Sequence, residues 1–391
     1  MSHSYVWTSE YVSPGHPDKV ADQISDSILD LYLQHDPDAR VACETMVKGN
    51  SVYIAGEITS KANFLAESDF ELIKKTIRNT ISLIGYVHPE FGFHSESCSI
   101  HMNISAQSPE INRSVDKNQS LGAGDQGIMF GFATNDTPTK MPLAIYLAKE
   151  IVQYAYRLIF TDFIGKDILR PDMKSQISLH YNNGHPTHID SLVLSCCHSQ
   201  SLSLRQLQEL FHDKILNDIK AIIPEHIYSM FTKDTKYYIN PAGEWNIGGP
   251  ISDCGLTGRK IVVDQYGADC EIGGGAFSGK DPSKVDKSAA YMARHIALKT
   301  LAEHEHANNI KVQLAYAIGQ EFPVSYRIYD SLGKEYSLGS FSLHDLTPSA
   351  IIERLELQNP IYLATSHKGH FGNSSYNVQG INYFTWEDIS E

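Results

Sequence analysis

Between Gly273 and Asp286 the chain reads GGGAFSGKDPSKVD, three consecutive glycines followed by Lys280, Asp281, Lys284 and Asp286. Consecutive glycines expose backbone N–H groups at no steric cost. Clustered ammonium groups beside such a backbone suit a polyphosphate, and a carboxylate among them suits its Mg²⁺. Gly274, Gly279 and Lys280 fit the G-x-x-x-x-G-K of a P-loop, but Asp281 stands where a Mg²⁺-binding Ser or Thr is required. The preceding YGADCEI is polar and broken where that motif follows an apolar strand. Phosphate chemistry is therefore expected, on something other than a P-loop.

Four further clusters carry similar residue types. In GHPDK (15–19), His16 and Lys19 are placed to touch phosphate at the start of a helix and Asp18 to take Mg²⁺; the alternative is that Asp18 caps the helix and His16 lies on the surface. In GAGDQG (122–127), Asp125 suits a ribose hydroxyl or an Asx-turn. RPDMKSQ (170–176) offers Asp172 and Lys174, as site residues or as a surface ion pair. DCGLTGRK (253–260) sets the adjacent cations Arg259 and Lys260 after two glycines, with Cys254 as packing. Glu44 and Glu57 interrupt alternating strands, so each faces water or binds something positive, because a buried unpaired carboxylate is costly. Trp245 and Tyr238 suit either a purine or the core. No Ser-His-Asp, HExxH or CxxC arrangement occurs, and His185 and His188 read as turn residues.

The elements that must position these groups follow from hydrophobic period. Pro17 opens a helix to about Leu33, and 41–47 with 51–58 form a hairpin. A second helix is expected from Ser68, with Glu71 completing a capping box and Phe70, Ile73, Ile77, Ile81 and Ile84 on its core face. A strand follows through Cys98, Ile100, Met102 and Ile104, then a polar, aperiodic stretch over 105–124. Further on come a helix over about 142–160, strands near 175–181 and 189–197, and a helix burying Leu207, Leu210, Phe211, Ile215, Ile219 and Ile222. A third block from Ile247 holds a helix after Pro282, strands at 310–318 and 324–330, and a helix near 348–357. The expected architecture is α+β in three similar domains, 1–104, 119–246 and 247–391, each with helices on a small, mostly antiparallel sheet.

Bulk properties agree with a large folded chain: 391 residues, 42% hydrophobic and 20% charged. A net charge of −14 disfavours nucleic acid and anionic membranes as partners, so a polyphosphate ligand needs the local cation cluster. Six scattered cysteines favour reduced thiols, and the N-terminus has no signal-peptide pattern, so a soluble cytoplasmic protein is expected.

GHPDK, GAGDQG, DCGLTGRK and GGGAFSGKDPSK, in this order, resemble the S-adenosylmethionine synthetases (methionine adenosyltransferases). The similarity runs from TSEYVSPGHPDK to the C-terminal NPIY and GHFG segments. It implies three α+β domains about an approximate three-fold axis, and a homodimer or homotetramer (a dimer of dimers) with active sites between subunits. It implies synthesis of S-adenosylmethionine from ATP and L-methionine: the methionine sulfur displaces triphosphate, which is then hydrolysed to diphosphate and phosphate. Two Mg²⁺ and one K⁺ per site are implied as cofactors.

Carried over by motif, His16, Lys174, Arg259 and Lys280 would be catalytic. Asp18 and Asp286 would bind Mg²⁺ and Glu44 would bind K⁺. ATP would meet His16, Asp125, Asp172, Lys174, Trp245, Asp253, Arg259, Lys260, Ala276 and Lys280. Methionine would meet Glu57, Gln107, Asp253 and Lys284, with the loop 105–121 as a gate. The chain departs from the family with Glu244-Trp245 where Arg-Phe is common, Ile272 where His is usual, and Lys368 where Tyr is frequent. Two competing readings are a degenerate P-loop kinase or NTPase, and a non-catalytic homologue that regulates an active partner.

Overall fold

The structure is a computed structural model and describes residues 4–62, 64, 70–106, 116–117, 120–161 and 168–390. The first third contains β1 (Ser4–Val12), α1 (Pro17–His35), β2 (Arg40–Lys48), β3 (Ser51–Thr59), α2 (Phe70–Ile84) and β4 (Ser99–Ser105). The middle third contains β5 (Gly127–Thr134), α3 (Leu143–Arg157), β6 (Leu169–Asn182), β7 (His185–His198) and β8 (Lys236–Ile239). The last third contains β9 (Gly255–Leu256), α4 (Val285–Glu303), β10 (Asn309–Tyr316) and β11 (Ser325–Tyr329).

Most of these elements stand where periodicity puts them. Proline at the first position of α1 is tolerated because that N–H has no helical partner. Ile73, Ile77, Ile81 and Ile84 of α2 are buried, while Phe70 is half-buried and Ser68 lies outside the described residues. In the helical run over 204–222, Leu207, Phe211, Ile215 and Ile219 are buried. Ile222 is a correction: it is exposed, and Ile223 takes the core position. A π segment over Phe211–Leu216 shifts the period that a regular helix would have kept.

Three larger sheets have the strand orders β1-β6-β7-β8, β9-β2-β3-β4 and β11-β10-β5. Pairing is antiparallel except for β3 with β4 and β7 with β8. Each sheet draws strands from two thirds of the chain. The first third lends β1 to β6, the middle third lends β5 to β10, and the last third lends β9 to β2. This exchange is cyclic, and each sheet carries one long helix on its face: α1 against β2, α3 against β6, and α4 against β5 and β10. The architecture is thus three-domain α+β with the domains laced together by strands.

The exchange has a consequence for α1. Covered by its own sheet, α2 and the helix Tyr362–Lys368, it is buried over Pro17–Leu33, polar face included. A buried polar face needs partners, and the functional loops provide them.

Candidate active site

His16 caps α1. Its Nδ1 accepts the Asp18 N–H at 3.1 Å, which places the ring proton on Nε2. The imidazole is buried, and burial, reinforced by Lys260 and Lys174, pushes its pKa down to about 3. At neutral pH it is an uncharged donor with one N–H to offer. The surface placement considered for His16 is therefore incorrect, and the cap is His16 rather than Asp18. Asp18 reaches across to the loop 253–260: Oδ1 accepts the Leu256 N–H at 3.0 Å, and Oδ2 binds Lys260. Burial acts to raise the Asp18 pKa, but these bonds outweigh it and hold the group below the ordinary carboxylate range. Arg259, largely exposed, stands 4.0 Å from the same carboxylate. Lys19, expected at phosphate, instead points inward and binds Asp22 at 3.0 Å and Asp264 at 2.7 Å.

Asp172 and Lys174 lie beside this group on β6. Lys174 is exposed, whereas Asp172 is buried and accepts the Gly249 N–H at 2.7 Å. Burial pushes the Asp172 pKa up to about 7, and its Oδ1 has no hydrogen-bond partner. Asp253 is exposed and close enough to raise that pKa further. Trp245 is half-buried, with its indole N–H donated to the Ile247 carbonyl at 2.8 Å and its ring against Gly248.

A second group surrounds the triple glycine. Lys280 binds Asp286 at 2.7 Å, and Lys284 binds Asp281. A Cβ on Gly275 would fall 2.2 Å from the Asp286 carboxyl carbon, so the backbone passes directly over that carboxylate. Gly127 also lies against Asp286, a Cβ there falling 3.3 Å from its Oδ1, which brings the GAGDQG loop here; Asp125 is exposed and accepts the Gln126 N–H at 2.7 Å. Glu57, Ala42 and Lys280 occupy one row, because Ala42 pairs with Glu57 on one side and bridges Lys280 on the other. Glu57 is thus about 10 Å from Lys280 across two strand spacings. Glu44, two residues from Ala42, shares that face and is exposed. Gln107 lies outside the described residues, as does most of the 105–121 loop.

Both cation-bearing loops are fastened to the same two elements. β9 pairs with the Met46–Val47 end of β2, and residues 279–281 bond to Val41 and Cys43 at its other end. On α1, Asp18 accepts from Leu256, Asp22 from Gly258, Asp26 from Gly279, and Asp30 from Tyr362 and Leu363. These aspartates recur every fourth residue, one per helical turn along a single face. The reading of motifs missed Asp22, Asp26 and Asp30. Their signal was in the sequence, as carboxylates recurring at helical period along one helix.

The ladder also separates the two groups. Asp18 and Asp26 are eight residues apart, about 12 Å along the helix axis. Ala276 and Gly258 touch between the groups, yet among the described residues no charged side chain of one is paired with one of the other. Nor do three acidic, Cys or His side chains among them converge on a common metal position. Single carboxylates such as Asp18 and Asp286 fit Mg²⁺, which takes one or two protein carboxylates and completes its shell with phosphate oxygens and water.

The chain matches the N-terminal domain of S-adenosylmethionine synthetase over residues 4–109, its central domain over 120–245 and its C-terminal domain over 247–387. Domain matches in this order cover nearly all of the 391 residues and bring every motif above into one frame. The chain belongs to the S-adenosylmethionine synthetase family and is a methionine adenosyltransferase, making S-adenosylmethionine from ATP and methionine.

Proposed function

We propose that the methionine sulfur attacks C5′ of ATP, forming the S–C5′ bond as the C5′–O bond breaks, and that the expelled triphosphate is hydrolysed to diphosphate and phosphate before release. The observation that carries this reading is the fastening of two cation-bearing loops to one strand edge and one helix face. A thioether is a nucleophile without deprotonation, so the site needs no general base. What it must stabilise is charge growing on the departing triphosphate, and cations fixed beforehand do this without reorganising. Lys174, Arg259, Lys260 and Lys280 take that role, and neutral His16 donates its single N–H to the same oxygens. Bound Mg²⁺ would neutralise phosphate charge, with Asp18 and Asp286 as its protein ligands, two ions per site. Asp125, Asp172, Trp245, Asp253 and Ala276 are assigned to ATP, and Glu57, Gln107, Asp253 and Lys284 to methionine. The domain limits 1–104, 119–246 and 247–391 and a cytoplasmic location complete the reading. Six free cysteines support that location, and no described helix is long and apolar enough to cross a membrane. Incubation with ATP, L-methionine, Mg²⁺ and K⁺ should yield S-adenosylmethionine by mass; ADP would indicate a kinase, and no product a regulatory homologue.

One K⁺ per site is assigned to Glu44, an exposed carboxylate on the face that carries Lys280. Glu44→Ala should lose most of its stimulation by K⁺ and keep Mg²⁺-dependent activity. Rates titrated with KCl check this, and equal stimulation in both enzymes removes Glu44 from the ion site.

Because the two groups stand about 12 Å apart along α1, one complete site is assigned to the first group of one subunit and the second group of its partner, in a homodimer or a dimer of dimers. Lys260→Ala and Lys280→Ala change different groups. Mixing the two inactive variants under subunit exchange should restore about a quarter of wild-type activity per chain, since half of randomly paired dimers are hybrids with one intact site of two. No recovery despite exchange places both lysines in a site made by one chain.

A further inference from the structure

Asp26 and Lys287 form the least satisfied ion pair of the α1 ladder. Both side chains are wholly buried, 3.5 Å apart. Oδ2 of Asp26 has no hydrogen-bond partner, and the Lys287 ammonium lies over the Tyr362 ring, 3.9 Å from its centroid. A buried pair with unmet hydrogen-bonding capacity is a poor stabiliser, and apolar residues of similar volume often do as well or better. Stability alone does not account for it.

The backbone that Asp26 touches is more telling. Its Oδ1 accepts the Gly279 N–H at 2.8 Å, while the Gly279 carbonyl accepts from Cys43 N–H at 2.9 Å. Gly279 has φ +78°, and a Cβ there would sit 1.9 Å from the Cys43 carbonyl oxygen. On the far side of Lys280, the Asp281 carboxylate accepts the Val41 N–H at 2.7 Å and the Ser283 N–H at 2.9 Å. Lys280 is thus suspended between two backbone anchors, one of them Asp26.

We propose that Asp26, its charge balanced by Lys287, is a positioning residue for Lys280; this rests on the role given to Lys280 above. Asp26 sets the height of the Gly279 peptide over α1, and so the origin of the Lys280 side chain. A displacement near 1 Å at such a group is worth up to about 10²-fold in rate.

The test is a coupling cycle in the full-length enzyme. Asp26→Ala with Lys287→Met removes the acceptor and both charges together. Asp26→Asn with Lys287→Met removes the charges and keeps an acceptor for Gly279. The first pair should lower kcat about 10- to 10²-fold with a smaller change in KM for ATP, and the second should stay near wild type, both with thermal midpoints close to wild type. In a Lys280→Ala background the first pair should add little further loss, because residues acting through one another are not additive. Asp26→Glu, which retains the pair with Lys287 but lengthens the acceptor, runs through the same cycle if the alanine form does not fold. Equal fold-losses with and without Lys280 would overturn the proposal, as would equal losses in the alanine and asparagine pairs. A Lys280→Ala enzyme of normal rate would overturn this proposal and the role of Lys280 together; additive losses on a slow Lys280→Ala enzyme overturn this one alone.

Discussion

Lys280→Ala is expected to lower kcat at saturating ATP and methionine about 10²–10³-fold, the scale for deleting one donor from a preorganised anion site. The side chain is about one-quarter exposed (27%), and its ammonium is paired with Asp286 rather than packed in the core. Its backbone neighbours hold the loop without it: Gly279 bonds to Asp26, and Asp281 bonds to Val41. The fold should therefore survive, and the thermal midpoint should stay near wild type. Steady-state kinetics and a melting curve together check both halves. Near-normal turnover would show that Lys280 does not stabilise the leaving group, whatever else it does.

The second large effect concerns stability. Arg294, wholly buried on α4, donates to Glu387 at 2.9 Å, to the Thr139 carbonyl at 2.9 Å, to the Lys140 carbonyl at 3.1 Å, and to the Phe132 carbonyl. One guanidinium thus joins α4 to β5, to the turn after β5 and to the C-terminal segment, across the seam where the middle third lends its strand to the last. Arg294→Met takes the cation from the buried Glu387 carboxylate and removes one donor from each of three carbonyls. A loss of about 3–5 kcal/mol is expected, as for breaking a buried pair from one side. Arg294→Met with Glu387→Leu should be clearly less destabilised, because no lone charge remains. Urea unfolding of both variants checks this, and a single-variant loss under about 1 kcal/mol would show that the buried carboxylate is not the dominant cost.

The residues of the glycine-rich motif come together in the structure because their spacing is local. GGGAFSGKDPSKVD reads as a polyphosphate loop from glycines, lysines and carboxylates within fourteen residues, and those residues do meet: Lys280 with Asp286, and Gly275 over the same carboxylate. The substitution of Asp281 for a P-loop hydroxyl was a sound warning, since its carboxylate pins the loop to Val41 and binds Lys284. Lys19 was misread because its neighbours in GHPDK are all site-like; its true partners, Asp22 and Asp264, are one helical turn and 245 residues away.

Sequence alone determined the longer helices, the hairpin, the motif loops and the α+β class, because each rests on a period or spacing closed within a few residues. Only the tertiary structure decided that β1, β5 and β9 belong to sheets of other thirds, since nothing in a strand's own alternation names the strand it pairs with. It decided that His16 is buried and neutral, and that Asp22, Asp26 and Asp30 face inward as acceptors for loops far along the chain. Periodicity tells which residues share a face; what covers that face is set by contacts over hundreds of residues, and it is the cover that decides whether a carboxylate is solvated, paired or put to use.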